Sequence, residues 1–231
     1  LPDDKARAHW LVKLPRGRSD EDRAVLRNEA AYLRVAAELG IRSHAAPMLH
    51  GDMLFVRRFD RVVHPTGLQR LHQESIASLA GVRGFGMPLS MQEMLRAIRA
   101  NVTHPQAETL EFMKRDALNI ALRNTDNHAR NTAVQRLPDG TVQLTPVFDF
   151  APMFLDPEIV PRSSHWLTPD GKSRVTDFRQ IAELLGTVLP GKEMRAVLTE
   201  LKAFGVEVAR LPEVARDQCV ESAVLHQCLL S

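Results

Sequence analysis

The sequence predicts an α+β fold in two lobes, with a small strand-rich N-terminal lobe over residues 1–61 and a larger, mostly helical lobe over residues 62–231. Three observations lead there. Short apolar runs bounded by turn residues crowd the first 60 positions, helical periodicity dominates from residue 90 onward, and one polar interruption at 124–153 breaks the helical part. No repeat or low-complexity linker separates the two parts, so they are expected to meet at a cleft, with the interruption at the junction.

Each element follows from local chemistry. Residues 9–14 (HWLVKL) read as a strand closed by Pro15, which cannot continue a ladder, with Lys13 near its end. Residues 19–39 read as a helix: Ser19 can cap it, Asp20, Glu21 and Asp22 complement its N-terminus, and Gly40 suits a C-terminal stop. Its apolar stripe runs through Val25, Tyr32, Leu33, Ala36 and Ala37 and carries Glu29 inward, where a carboxylate needs a partner. Residues 48–59 read as a hairpin turning at Gly51 and Asp52, followed by the charged run Arg57, Arg58, Phe59, Asp60, Arg61. Ser90 to Glu93 form a capping-box pattern ahead of Met94, Leu95 and Ile98. A second helix is expected over 106–122 on Leu110, Met113, Ala117, Leu118 and Ala121. A Pro138, Asp139, Gly140 turn then leads to a strand-like 142–148 region, and further helices are expected at 178–185 and 193–204.

Bulk properties remove several function classes. With 44% hydrophobic and 25% charged residues, the chain reads as soluble and globular. No apolar run approaches the roughly 18 residues that would span a bilayer, and the start lacks the order of a signal peptide, so no membrane partner is expected. Cys219 and Cys228 lack metal-ligand spacing and suit a reducing, cytoplasmic setting. The 30 basic and 28 acidic residues leave a net charge of +2 spread along the chain, which argues against direct DNA binding. The chain opens on Leu1 and shows no glycine-rich stretch before the first strand, so it is expected to begin inside a longer protein.

The residues that can carry chemistry cluster at the interruption. The loop Asn124, Thr125, Asp126, Asn127, His128, Ala129, Arg130, Asn131 gathers an acid, amides and a histidine at the end of an apolar helix. Asp126 and Asn131 stand five apart, the interval of the acid and amide in a kinase catalytic loop. At that spacing a carboxylate can accept a hydroxyl proton while a carboxamide oxygen ligates magnesium, a cation that prefers hard oxygen donors. Downstream, Asp149 follows Val147 and Phe148 at a strand end, as the metal-binding Asp of a D-F-G segment does, though Ala151 stands in place of the Gly. Lys13 and Glu29 complete the set, because a strand lysine paired with an inward helix glutamate is how kinases hold nucleotide phosphates.

These residues resemble the HipA family of serine/threonine kinases, the toxins of bacterial toxin–antitoxin pairs, over most of the chain. The matching pieces are Val12-Lys13-Leu14-Pro15, Asn28-Glu29, the run from Val56 through Arg61, Arg70-Leu71-His72-Gln73-Glu74, the run from Thr125 through Asn131, and Leu144-Thr145-Pro146-Val147-Phe148-Asp149. The resemblance implies a protein-kinase-like fold that uses ATP and Mg2+. It implies Asp126 as the catalytic proton acceptor, Lys13 with Glu29 at the phosphates, and Asn131 and Asp149 as the metal ligands. Arg57, Arg58 and Phe59 would read adenine through their backbone, with His128, Ala129, Arg130 and Phe148 beside the nucleotide. It further implies a HipB-like DNA-binding antitoxin as partner, DNA contact only through that antitoxin, and a protein substrate such as an aminoacyl-tRNA synthetase, so that activity brings growth arrest and persistence. The family's glycine-rich phosphate loop has no counterpart here, Arg57 stands where an acidic residue is usual, and the match weakens after Asp156.

Blander readings exist for each piece. The Asp126 loop could be an ordinary polar turn, Asp149 a strand-end carboxylate, and Lys13 with Glu29 a structural ion pair. Two other functions remain open: a catalytically silent subunit that binds a nucleotide or antitoxin, and a kinase for a small hydroxylated molecule. Ser163-Ser164-His165-Trp166 stands out as polar and aromatic but is assigned no chemistry.

Overall fold

The computed structural model describes residues 5–84, 88–159 and 161–229. The chain opens with β1 (Trp10–Lys13), the helix α1 (Asp20–Glu38), and the hairpin β2 (Met48–His50) and β3 (Met53–Arg57). The three strands form an antiparallel sheet in the order β1-β3-β2, with Lys13 opposite Leu54 and Trp10 opposite Arg57. The helix starts where its caps dictate: the Ser19 side chain accepts from the Asp22 backbone N–H, and the Asp22 carboxylate returns the bond to the Ser19 N–H. It stops at Gly40, whose φ of 73° lets the N–H groups of Gly40 and Ile41 reach back to the carbonyls of Ala37 and Ala36. Leu54, fully buried, packs with Leu26 and Ala30 of α1 and ties helix to sheet.

A second hairpin, β4 (Arg61–His64) and β5 (Gly67–Arg70), leads to β6 (His72–Ser75) and the short α2 (Ile76–Leu79). The helices α3 (Met91–Asn101) and α4 (Pro105–Ala121) follow; α3 begins on the capping box of Ser90 and Glu93. β7 (Ala133–Arg136) and β8 (Val142–Leu144) then complete a sheet in the order β6-β7-β8, in which Ser75 pairs with Ala133. The polar loop 122–132 is therefore slung between the end of α4 and the middle strand of this sheet. Beyond a single 3-10 turn at Met153–Leu155 come the small hairpin β9 (Trp166–Leu167) and β10 (Arg174–Val175), then α5 (Phe178–Leu185), α6 (Gly191–Val208), α7 (Leu211–Asp217) and α8 (Ser222–Leu229).

Two larger cores hold these parts. One gathers Met94, Leu95 and Ile98 of α3, Phe112 and Met113 of α4, Val134, Leu144, Trp166 and Ile181. The other joins Tyr32, Val35 and Ala36 of α1 to Leu118, Leu122, Phe150 and the C-terminal Leu211, Val214 and Leu225. The first helix thus shares its core with the last two, which brings the end of β1 toward the segment around Asp149. Among the described residues, no helix is long and apolar enough to cross a membrane.

Candidate active site

Lys13 stands at the end of β1, one residue before the chain leaves the sheet at Leu14 and Pro15. Its ammonium lies 2.6 Å from Glu29 Oε1 and 2.6 Å from Asp149 Oδ1, so one cation is shared between a carboxylate of α1 and one that lies 136 residues away along the chain. Glu29 is buried, as its place on the apolar stripe of α1 requires. Burial raises its carboxyl above the usual range, against the opposing pull of Lys13. For Lys13 itself burial works downward, but the charges and hydrogen bonds of Glu29 and Asp149 outweigh it and hold the ammonium above its ordinary value. Asp149 sits at φ 55°, a left-handed conformation that Asp tolerates better than most residues and that is concentrated at functional sites.

Two cavities meet at Phe148 and Asp149. The larger, about 340 Å³, is walled by Leu11, Lys13, Glu29, Leu33, Val56, Arg57, Arg58, Phe59, Asp60 and Gln73 together with that pair. Its size and largely apolar lining suit a small organic ligand, and Phe59 faces Phe148 with ring centroids 6.0 Å apart. The smaller, about 40 Å³, is lined by Asp126, Asn131, Phe148 and Asp149, with Asp116, Asn119, Asn124 and Asn127 behind them. Lys13, Glu29, Arg57, Arg58, Phe59 and Phe148 thus share one cleft, and Asp126, Asn131 and Asp149 share the adjoining one.

The loop geometry is set locally. The Asn131 carboxamide nitrogen donates to the Asp126 carbonyl at 3.0 Å and to its carboxylate at 3.2 Å. The Asn131 backbone N–H donates to the His128 carbonyl and to its Nδ1, and His128 Nε2 stands 3.4 Å from Asp126 Oδ1. His128 therefore braces the loop beside the acid. Ala129 is buried in the first core, where its carbonyl accepts from the Ala77 N–H, and Arg130 donates to the Gly84 carbonyl; neither lines the two cavities. Arg58 and Arg61 both pair with Asp60, so the arginine run is partly neutralised by its own neighbour.

Other participants carry no sequence signal that spacing could expose. Asp116 of α4 lies behind the smaller cavity and binds Arg162 and Trp166, and Asn127, in the wall of that cavity, bonds Ser164. Arg16, just after β1, reaches Asp156 at 3.0 Å and also Glu158, linking the first sheet to the segment beyond Asp149. The undistributed Ser163 to Trp166 motif is therefore a structural neighbour of the candidate site.

Among the described residues, no group of three or more His, Cys, Asp or Glu side chains could hold a metal ion. The donor set present is one carboxylate, Asp149, and one carboxamide, Asn131, whose nitrogen is committed to Asp126 so that its oxygen is the atom it can offer a ligand. That is sparse for a metal held by protein alone, and it fits a magnesium ion that takes most of its ligands from water and phosphate oxygens.

Comparison with known proteins shows the family to which this fold belongs. The profile of the HipA-like C-terminal domain matches residues 2–208, and the chain belongs to that family. Among solved structures it is similar to a chain of the Shewanella oneidensis MR-1 toxin–antitoxin complex of HipA, HipB and operator DNA, with a TM-score of 0.68 at 18% identity over 95% of this chain and 57% of that one. It is also similar to the Helicobacter pylori proinflammatory kinase CtkA, with a TM-score of 0.60 at 13% identity over 95% of this chain and 83% of that one. The chain thus spans less than two thirds of the Shewanella chain. No curated protein sequence matches it.

Proposed function

We propose that this chain is the catalytic part of a HipA-type kinase, two-lobed in architecture, that transfers the γ-phosphoryl group of ATP to a serine or threonine hydroxyl of another protein. The observation that carries this reading is Lys13, held 2.6 Å from both Glu29 and Asp149 where the 340 Å³ cleft adjoins the cavity lined by Asp126 and Asn131. A strand lysine, an inward helix glutamate and an aspartate meeting at one point is the arrangement by which protein kinases hold nucleotide phosphates, and it suits a reaction whose catalysis rests on positioning and charge neutralisation.

The residues divide the work. The cleft between Leu11, Val56 and Phe59 takes the adenine, with the backbone of Arg57, Arg58 and Phe59 reading its edge, and Lys13 holds the phosphates. Asn131 and Asp149 would hold magnesium, which when bound neutralises phosphate charge. Asp126 accepts the hydroxyl proton as the acceptor oxygen bonds to the γ-phosphorus and the bond from that phosphorus to the β–γ bridging oxygen breaks, releasing ADP. His128 and Asn131 hold the carboxylate in place. The similarity to HipA in its complex with HipB and operator DNA supports a toxin partnered by a HipB-like antitoxin, and the target we propose is a cytoplasmic translation component such as an aminoacyl-tRNA synthetase.

The test is Asp126→Asn. Transfer of labelled phosphate from ATP is expected to fall by a factor of about 10²–10⁴, while the thermal shift produced by ATP and magnesium stays close to that of the wild type. Undiminished transfer by the variant refutes the assignment of Asp126. A wild type that binds ATP but transfers nothing is instead a silent nucleotide-binding module, and one that phosphorylates only small alcohols is a small-molecule kinase.

A further inference from the structure

Residues 162–167 form a strap across the back of the Asp126 loop. Its anchor is Asp116, whose side chain is 1% exposed and whose two carboxylate oxygens accept from Arg162 and, at 2.8 Å, from the Trp166 indole N–H. The middle of the strap bonds to α3: the Met91 N–H donates to the His165 carbonyl at 2.9 Å, and the Gln92 carboxamide both donates to the Leu167 carbonyl and accepts from its N–H. The last attachment is to the loop. Asn127 Nδ2 donates to the Ser164 carbonyl at 3.1 Å, and Asn127 Oδ1 accepts from the Ser164 N–H at 3.4 Å.

Asn127 immediately follows Asp126 and is buried, 7% exposed, with its carboxamide bonded to Ser164. With Asp116 and Met91 it walls the same small cavity as Asp126, Asn131 and Asp149. We infer that Asn127 is a positioning residue, clamped at both ends of its carboxamide by the strap that Asp116 anchors, and that this clamp sets where Asp126 stands; the inference rests on the kinase reading for its catalytic consequence. The chemistry requires an amide. A carboxylate at 127 would set an oxygen against the Ser164 carbonyl oxygen, and an alanine would leave the buried Ser164 N–H without its partner, while the Ser164 carbonyl would keep only the 3.1 Å bond it accepts from Arg162 Nε. The bonds within the loop between Asp126, His128 and Asn131 fix its internal shape, whereas the clamp ties that shape to α3 and α4. Small displacements of a reacting group are sufficient to lower a rate greatly.

The experiment uses the full chain and two readouts on Asn127→Asp and Asn127→Ala, with Ser163→Ala as a neighbouring control. Amide hydrogen exchange is expected to speed up by about tenfold over residues 124–132 in both Asn127 variants while α4 and β7 keep their protection. Phosphate transfer from labelled ATP to dephosphorylated casein, and to the chain itself, is expected to lose about tenfold or more in kcat with the KM for ATP within about threefold. Ser163→Ala should match the wild type in both. Unchanged exchange over 124–132 overturns the clamp, and so does protection lost uniformly across the whole chain, which marks Asn127 as a general folding residue. Faster loop exchange with undiminished kcat overturns the positioning role. If the wild type transfers no phosphate, the kinase reading falls by itself, and the exchange readout still decides whether Asn127 fixes the loop.

Discussion

Two charged groups flank the proposed transfer centre, one a lysine shared by two carboxylates of which Asp149 is open, the other a sealed carboxylate shared by an arginine and an indole. At the cleft, Lys13 serves two carboxylates at once, its side chain is 25% exposed, and Asp149 is 43% exposed. Behind the loop, Asp116 is 1% exposed and has each oxygen committed to a donor, Arg162 on one and Trp166 on the other. The first group can exchange a protein partner for a phosphate or a cation because water and ligand can reach it. The second cannot exchange anything without stranding a charge in the interior. Desolvation, more than residue type, separates a site that binds from a site that holds.

Breaking the buried pair should have the largest effect on folding. Arg162→Ala leaves the Asp116 carboxylate without its counter-charge, and urea unfolding is expected to show a loss of about 3–5 kcal/mol. Adding Asp116→Asn to that variant should recover about 1 kcal/mol or more, since a carboxamide can still accept from Trp166 without carrying charge. No recovery would mean that the cost lies in packing, and the contrast with the cleft would lose its electrostatic basis.

Lys13→Met sharpens the other side. Folding stability should fall by only about 1–2 kcal/mol, because the Glu29 carboxyl, already raised by burial, can take up a proton. The thermal shift given by ATP and magnesium should nevertheless disappear. A variant that keeps that shift would remove Lys13 from the binding site.

The pH dependence of the same residue is a finer test. The folded state holds the Lys13 proton more tightly than the unfolded chain does, so its contribution is fully present below the ordinary lysine value of 10.5 and is lost as pH rises through the folded value. Wild type and Lys13→Met should therefore converge in stability as pH rises through the folded value. A gap that is constant to high pH would show that the methylene stem, not the charge, supports the fold. The smallest effect is expected from Arg58→Ala: its pair with Asp60 is exposed and Asp60 keeps Arg61, so stability should stay within about 0.5 kcal/mol of wild type.

Much of the local structure was legible along the chain. The Ser19 and Ser90 caps, the Gly40 stop, the Gly51 and Asp52 turn and the helix at Phe178–Leu185 all appear where their side chains require them. The hairpins β4–β5 and β9–β10, the pairing of β6 with β7 and the helices α7 and α8 leave no such local signature. Those strands are two to four residues long, too short for alternation to register, and β6 finds its partner some 60 positions later. At the site, the inward aspect of Glu29 announced a partner, and Lys13 is that partner. Nothing marked Asp116, because a carboxylate on a helix reads as solvated until the residues that cover it are known.

The sequence by itself determined the elements and the inventory: which segments coil or extend, where they end, and that an acid, an amide and a second acid recur at intervals suited to phosphoryl transfer. Only the tertiary structure decided which carboxylates are open and which are sealed, that Lys13 reaches Asp149 across 136 residues, and that the motif at 163–166 stands against the loop it was not connected with. Capping and periodicity act within one or two turns of chain, whereas burial depends on every segment that packs over a group.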